Sequence, residues 1–94
     1  MAIAVFFQHP NLTLAAFDEV DRRMRDVIGG QPAGLVHHSV YGTDGELVTF
    51  EIWNSEEEFR AFGATLMPII AELGLEAGPP AVLPLHRLFQ VASD

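Results

Sequence analysis

The amino-acid sequence predicts an α+β fold of the ferredoxin-like type, βαββαβ, with a four-stranded antiparallel sheet that carries both helices on one face. Three observations lead to this prediction. Two segments have the three- and four-residue apolar spacing of amphipathic helices. Four segments are rich in β-branched and aromatic residues, as strands are. An Asp-Gly pair separates two of these segments, which is a strong signal for a hairpin.

The first strand and the first helix follow from the start of the chain. Residues 2–8 form an uninterrupted apolar run, typical of a strand that is covered on both faces. His9 comes after this run, and we expect it to be a loop residue, with a pocket mouth as the alternative. The first helix begins at Thr13, which is a suitable N-cap, and ends before Gly29-Gly30. Its arginines follow acidic residues by four positions, which indicates a solvated face rather than an anion site.

The hairpin is predicted from residues 35–41 and 47–53, with Asp44-Gly45 as its two-residue turn. Counting outward from the turn pairs each residue of one strand with one of the other. The predicted pairs are Thr43 with Glu46, Tyr41 with Val48, Val40 with Thr49, His38 with Glu51, and Val36 with Trp53. One face of the sheet then carries Val36, His38, Val40, Thr49, Glu51 and Trp53. The opposite face carries Val48, Phe50 and Ile52, whose apolar side chains suit packing under the helices.

The second helix begins at Ser55, which forms a capping box with Glu58. Pro68 lacks a backbone donor, so we expect it to kink or split this helix. Gly74 is the signal for the end of the helix. Residues 81–91 are predicted to be the last strand, and Pro84 within them favours a position at the sheet edge, or a bulge, over a central position.

The size of the chain favours a single domain over residues 1–94 that pairs with a second copy. Its 94 residues are too few for two independent cores, and its 49% hydrophobic content excludes a disordered chain. There is no cysteine, so no disulfide compensates for the small core. A monomer would leave the second face of the sheet bare and apolar. We therefore expect a homodimer in which two sheets pack face to face.

The charge of the chain excludes two classes of partner. Thirteen acidic residues stand against five basic ones, for a net charge of −8. A nucleic-acid-binding protein needs a basic surface, and so does a protein that binds anionic membranes, so neither partner is expected. No apolar run is long enough for a transmembrane helix, and the first residues lack the basic region of a signal peptide. We predict a cytoplasmic protein.

The candidate site lies on the half-polar face of the hairpin, a composition typical of a pocket for a small apolar or aromatic ligand. We interpret His38 as a catalytic acid or base that Glu51 orients, with a structural His–Glu hydrogen bond as the alternative. His86 would contact a substrate oxygen, or be an edge-strand residue. Trp53 would stack on a planar ligand, or belong to the core. The other predicted substrate-binding residues are Thr49, Val36 and Val40.

Other kinds of site are not indicated. The sequence has no metal-ligand spacing, and His37 and His38 point to opposite faces of a strand. No glycine-rich loop opens a helix, and there is no nucleophile elbow. The sequence therefore predicts neither a metal nor a cofactor.

Several motifs together resemble small actinobacterial members of the dimeric α/β-barrel superfamily, the group that contains the antibiotic biosynthesis monooxygenases. They are GLVHH at residues 34–38, the Asp-Gly turn, EIWNSEEEF at residues 51–59, Pro68, and LPLH at residues 83–86. The resemblance implies a homodimer with one ligand cavity in each protomer. It also implies a histidine at position 38, an acidic residue at position 51 and a histidine at position 86 as site residues.

The activities that this resemblance implies are cofactor-free oxygenation of polycyclic phenols, polyketide cyclisation and haem degradation. The Trp and His of the haem-degrading enzymes are absent from residues 56–74, so haem is not expected. The Asn/Trp/Arg pattern of the phenol oxygenases is not matched either. The predicted function is acid/base chemistry, oxygenation or cyclisation, on an aromatic or polyketide-like substrate. The alternative is a non-catalytic ligand-binding or accessory protein of the same fold.

Overall fold

The computed structural model describes residues 1–91, which form one antiparallel sheet and two helices. The elements in chain order are β1 (Ile3–Pro10), α1 (Leu14–Ile28), β2 (Leu35–Thr43), β3 (Glu46–Trp53), α2 (Glu56–Glu72) and β4 (Ala81–Pro84). The strands lie in the order β2-β3-β1-β4, so β1 and β3 are the two central strands. The predicted fold class is confirmed.

Both helices begin at the residues that the sequence indicates. The Thr13 hydroxyl accepts a hydrogen bond from the backbone N–H of Ala16, 3.1 Å away. The Ser55 hydroxyl accepts from the N–H of Glu58 and donates to the Glu58 carboxylate, at 3.1 and 2.9 Å. The bonds from the N–H groups of Ala16 and Glu58 satisfy backbone donors that have no partner within the helix. Gly29 ends α1 in the left-handed conformation, with φ of 81°.

Helix α2 continues past its proline, so of the two predicted outcomes, a kink or a split, the split is wrong. Pro68 lies inside the helix, and helical residues continue beyond it to Glu72, so the helix is not split. The helix ends with Leu73 as its C-cap, followed by Gly74 at φ of 71°. The proline therefore removes one internal hydrogen bond without ending the helix.

The charged face of α1 is solvated, as the spacing indicates. Arg23 pairs with Glu19 at 2.9 Å and Arg25 with Asp21 at 2.7 Å. Arg22 pairs with Glu19 as well. These ion pairs account for the arginine cluster as a solvated helix face. Exposed pairs of this kind contribute little stability.

The hairpin register is confirmed from its turn as far as the pair His38–Glu51. The predicted pair of Val36 with Trp53 is wrong, because Trp53 lies opposite Leu35. A β-bulge between Leu35 and His37 places one extra residue in β2, and a bulge shifts every pair beyond it by one.

The two faces of the sheet are reversed relative to the prediction. Trp53 is fully buried and packs against two rings of α2, with centroids 5.9 Å from Phe59 and 5.0 Å from Phe62. Glu51 precedes Trp53 by two residues in β3, so its side chain lies on the same face of the sheet, the one that the helices cover. The large indole packs under α2, and its Nε1–H donates a hydrogen bond to the buried Glu51 carboxylate. Val48 and Phe50 therefore lie on the face that turns away from the helices.

The last strand is shorter than predicted. It comprises Ala81–Pro84 rather than residues 81–91, and it lies at the sheet edge, as its proline indicates. Beyond it, the N–H of Leu85 donates to the carbonyl of Ala2 at 2.9 Å. The residues that follow, as far as Val91, are in no helix or strand.

Neither α1 nor α2, the helices of residues 1–91, combines the length and the apolar composition that crossing a membrane requires.

Candidate functional site

A cavity of about 600 Å³ lies between the sheet and the two helices. Aromatic side chains from four elements line it: Phe7 of β1, Phe17 of α1, Trp53 of β3, and Phe59 and Phe62 of α2. This volume falls within the range of small-molecule sites, and a mostly apolar lining with a few polar groups is typical of them. The polar side chains that the sheet contributes include His9, His38, Thr49 and Glu51.

His38 and Glu51 lie side by side across the hairpin. Nε2 of His38 is 3.6 Å from Oε2 of Glu51, within ion-pair range but longer than a hydrogen bond. The His38 side chain is 30% exposed and that of Glu51 only 8%. The ring of Phe17 packs against the imidazole at a tilt of 57°, with centroids 6.0 Å apart. His38 is thus accessible from the cavity, whereas Glu51 is enclosed behind it.

The Glu51 carboxylate is held by the indole of Trp53, whose Nε1–H donates to Oε1 at 2.9 Å. Burial raises the pKa of Glu51 above its ordinary value of 4.5. The hydrogen bond from Trp53 and the nearby charge of His38 oppose this effect without cancelling it. The three side chains therefore form one chain of contacts, from the buried indole through the carboxylate to the accessible imidazole.

His9 is a cavity residue that the sequence interpretation assigned to a loop. β1 continues through Pro10, so His9 is a strand residue on the same face as Phe7. Its Nε2 is 3.1 Å from the hydroxyl of Thr49, and its ring stacks on that of Phe7 at 5.2 Å. Burial lowers the pKa of His9 from its ordinary 6.5. The alternation of Val5, Phe7 and His9 was the sequence signal for this position.

The other predicted site residues are divided between the cavity and the rest of the surface. Thr49 is 3% exposed and lines the cavity, as does Val36 at the bulge. Trp53 also lines it, although its ring is a core residue. His86 lies beyond β4, is exposed and does not line the cavity, and Val40 does not line it either. The shortened β4 is the reason that His86 is separated from the other candidates.

Within the described part of the chain, residues 1–91, no three side chains of the His, Asp and Glu types are grouped closely enough to hold a metal ion.

Comparison with solved structures places this architecture among known proteins. SnoaB of Streptomyces nogalater, a cofactor-independent oxygenase solved as a point mutant, is 17% identical, with a TM-score of 0.66 over 93% of this chain and 95% of that one. Rv0793 of Mycobacterium tuberculosis is 21% identical, with a TM-score of 0.62 over 98% and 100%. A candidate antibiotic biosynthesis monooxygenase from Chloroflexus aurantiacus is 13% identical, with a TM-score of 0.61 over 95% and 98%.

The chain has the fold of the antibiotic biosynthesis monooxygenases. The resemblance drawn from the sequence motifs is thereby confirmed at the level of the fold. Identities of 13% to 21% are too low to assign the activity of these proteins to this one. No protein-family model matches the chain, and no curated protein sequence matches it.

Proposed function

We propose that the chain is a small-molecule enzyme that binds an oxygenated aromatic or polyketide-like compound in the cavity and activates it by proton transfer to His38. The observation that carries this proposal is the arrangement of His38 before an enclosed Glu51, 3.6 Å from it, at a largely apolar cavity that includes five aromatic side chains. An imidazole at such a place is a suitable general base near neutral pH, and a carboxylate behind it stabilises the imidazolium that forms.

The proposed step removes a proton from an activated C–H or O–H group of the ligand. The proton goes to His38, and the electron pair stays on the ligand as a phenolate or an enolate. In an oxygenation, the ligand supplies the electrons and O₂ is the co-reactant, so that a phenol and O₂ give a quinone and water. In a cyclisation, the enolate carbon attacks a carbonyl carbon of the same molecule, and the imidazolium returns the proton to the new alkoxide.

Two features of the site support this proposal. Glu51 is fixed by the Trp53 indole, so its free oxygen is directed towards the imidazole, and little reorganisation is needed when charge develops on the ring. The aromatic side chains of the lining offer flat surfaces to a planar ligand. His86 has no part in this proposal, because it does not line the cavity.

An anthrone provides the test, because loss of its activated methylene proton gives an enolate, and reaction with O₂ then gives the anthraquinone and water. The rate is followed by absorbance and by O₂ uptake. We expect His38→Gln to lower kcat by at least about 100-fold, the contribution of a general base. Binding should change by no more than about tenfold, the contribution of one hydrogen bond. His86→Gln is the matched control and should leave both unchanged.

The same experiment separates catalysis from binding alone. A wild-type rate no faster than the spontaneous oxidation of the anthrone, with the anthrone still bound, would show a binding or accessory protein rather than an enzyme. Equal rates in the wild type and in His38→Gln, both above the spontaneous rate, would reject His38 as the base. Failure of the wild type to bind aromatic ligands of any kind would reject both readings. Trp53 is the only tryptophan of the chain and lines the cavity, so quenching of its fluorescence measures binding directly.

We also propose that the working form is a homodimer of this single domain, located in the cytoplasm. The sheet face that turns away from the helices carries Phe6, Phe50 and the 62% exposed Leu83, and Phe89 beyond β4 is 84% exposed. An apolar surface of this kind is uncommon on a monomer, and a second copy would cover it with its own equivalent face.

Light scattering coupled to size exclusion tests the dimer. Leu83→Asp places a charge on the proposed interface and should yield the monomer. Val27→Asp is the matched control, since Val27 is 65% exposed on α1, away from the sheet. A wild-type mass equal to one chain at micromolar concentration would reject the proposal.

A further inference from the structure

A second imidazole faces the cavity, and the proposed function does not use it. His9 lies near the end of β1, half-buried, with Nε2 at 3.1 Å from the hydroxyl of Thr49. Thr49 is itself 3% exposed and stands on β3, two residues before Glu51. A buried threonine hydroxyl and a histidine are costly to place in an apolar lining, and here each offers the other a hydrogen bond.

The His9 ring is held in one orientation by two contacts. Its plane stacks on the Phe7 ring, with centroids 5.2 Å apart and an interplanar angle of 18°. Its Nε2 is fixed by Thr49, whose own rotamer is restricted because it is β-branched. The ring is therefore preorganised, and a ligand that meets it does not have to order a free side chain.

This geometry leaves one ring nitrogen for a ligand. Among the hydrogen bonds of residues 1–91, the His9 ring uses only Nε2. Burial lowers the pKa of His9, which favours the neutral ring. A neutral imidazole has one donor and one acceptor, so Nδ1 complements whichever role Nε2 takes with Thr49. A hydroxyl group on a ligand can donate or accept, and it can match either form.

The two imidazoles belong to β1 and β2, the strands that flank β3 in the sheet. His9 is paired with Leu47 and His38 with Glu51, so they are separated by two strand spacings and by four residues along the strand direction. Strand geometry then puts their Cα atoms about 17 Å apart. Both side chains line the cavity, so a ligand that reaches both rings must be an extended one, of at least two or three fused rings.

We propose that His9, oriented by Thr49, is a binding residue that receives an oxygen substituent at the far end of a fused-ring ligand from His38. The inference rests on the proposed function, since it concerns the same cavity and ligand class. It assigns to His9 the oxygen-binding role that the sequence interpretation gave to His86. A ligand with oxygen at both ends is then fixed in one orientation, with its reacting position at His38.

The test uses three probes of one shape: anthraquinone, 2-hydroxyanthraquinone and 2,6-dihydroxyanthraquinone. Their Kd values are measured by quenching of Trp53 fluorescence, at one pH. In the wild type, we expect the second hydroxyl to tighten binding by about tenfold, the contribution of one hydrogen bond. In His9→Phe, which keeps a flat ring without polar atoms, this gain should disappear while anthraquinone itself binds as before.

Two further variants distinguish ligand binding by His9 from a purely structural role. His9→Gln retains a donor and an acceptor and should recover part of the gain, whereas Thr49→Val frees the ring and should reduce it. His86→Gln is the matched control, outside the cavity, and should behave as the wild type. Circular dichroism of each variant establishes whether it is folded. If His9→Phe does not fold, the comparison of Thr49→Val and His9→Gln with the wild type tests the role of His9.

The outcomes separate this inference from the proposed function. If the wild type binds the probes and the gain from the second hydroxyl is the same in His9→Phe or Thr49→Val, His9 is not the contact and the inference is overturned. The proposed function survives that result. If no probe quenches Trp53 in the wild type, the aromatic-binding function fails, and the role of His9 fails with it.

Discussion

The hydrogen bond between the Trp53 indole and the Glu51 carboxylate allows a quantitative prediction. Both side chains are buried, and Nε1 lies 2.9 Å from Oε1. Glu51→Gln keeps an oxygen acceptor at this place, whereas Glu51→Met has nearly the same length and no comparable acceptor. The indole donor in Glu51→Met is then left in an apolar environment without a partner, and we expect the folded state to lose stability.

The magnitude follows from the burial of the donor. A buried donor without its acceptor costs about 1–3 kcal/mol. Glutamine and methionine also differ in their transfer from water, which would obscure a direct comparison. The same exchange in the W53F background has this transfer difference but no indole donor. The double-mutant cycle of E51Q, E51M, E51Q/W53F and E51M/W53F should therefore give a coupling of about 1–3 kcal/mol.

The assay is urea unfolding followed by circular dichroism, because two of the four variants have no tryptophan. For a chain of this size, the expected coupling corresponds to a difference of roughly 1 M in the urea midpoint. All four variants are compared at the same protein concentration, because the stability of the proposed dimer would depend on it. A coupling below about 0.5 kcal/mol, within the usual error of additivity, would refute the role of this hydrogen bond.

The remaining predictions concern pH, a helix cap and two glycines. Burial in the folded state raises the pKa of Glu51, so the wild type should lose stability relative to Glu51→Gln as the pH rises from 4.5 through the raised pKa, and the difference should be constant below pH 4.5. Urea unfolding across this pH range measures the difference in stability, and a difference that does not change with pH would contradict the prediction. Asp44 accepts from the Leu14 N–H at 2.7 Å, so Asp44→Ala should cost about 1 kcal/mol in thermal unfolding, with Glu46→Ala as the control. Gly63→Ala meets open space inside α2 and should stabilise the protein by about 0.5–1 kcal/mol, whereas in Gly78→Ala the new Cβ would collide with the backbone of β1 and the fold should be destabilised; the opposite order of melting temperatures would refute both.

The sequence predicted the fold because its signals are local. The caps Thr13 and Ser55, the Asp-Gly turn and the spacing of apolar residues depend on neighbours within a few positions of the chain. The pairing of His38 with Glu51 followed from counting away from that turn. The same counting failed at Val36, because a β-bulge adds an extra residue to β2 there, and counting from the turn assumes that no such residue is present.

The candidate site was predicted in part, and the missing part depends on long-range packing. His38, Glu51, Thr49 and Trp53 were identified from residue type and register, and they do line the cavity. Which sheet face the helices cover was predicted incorrectly, because alternation along a strand defines two faces but does not say which is covered. The packing of the Trp53 ring against Phe59 and Phe62 of α2 identifies the covered face.

By itself, the sequence determined the order of the elements, their caps, the hairpin and the pairing of an imidazole with a carboxylate, since each depends on residues close together in the chain or on one turn. Only the tertiary structure decided that this pair faces the helices, that His9 joins it and that His86 does not. Those outcomes depend on side chains that are far apart in sequence, such as His9 and Thr49, and on the length of β4. Packing between distant segments selects among patterns that the local signals allow equally.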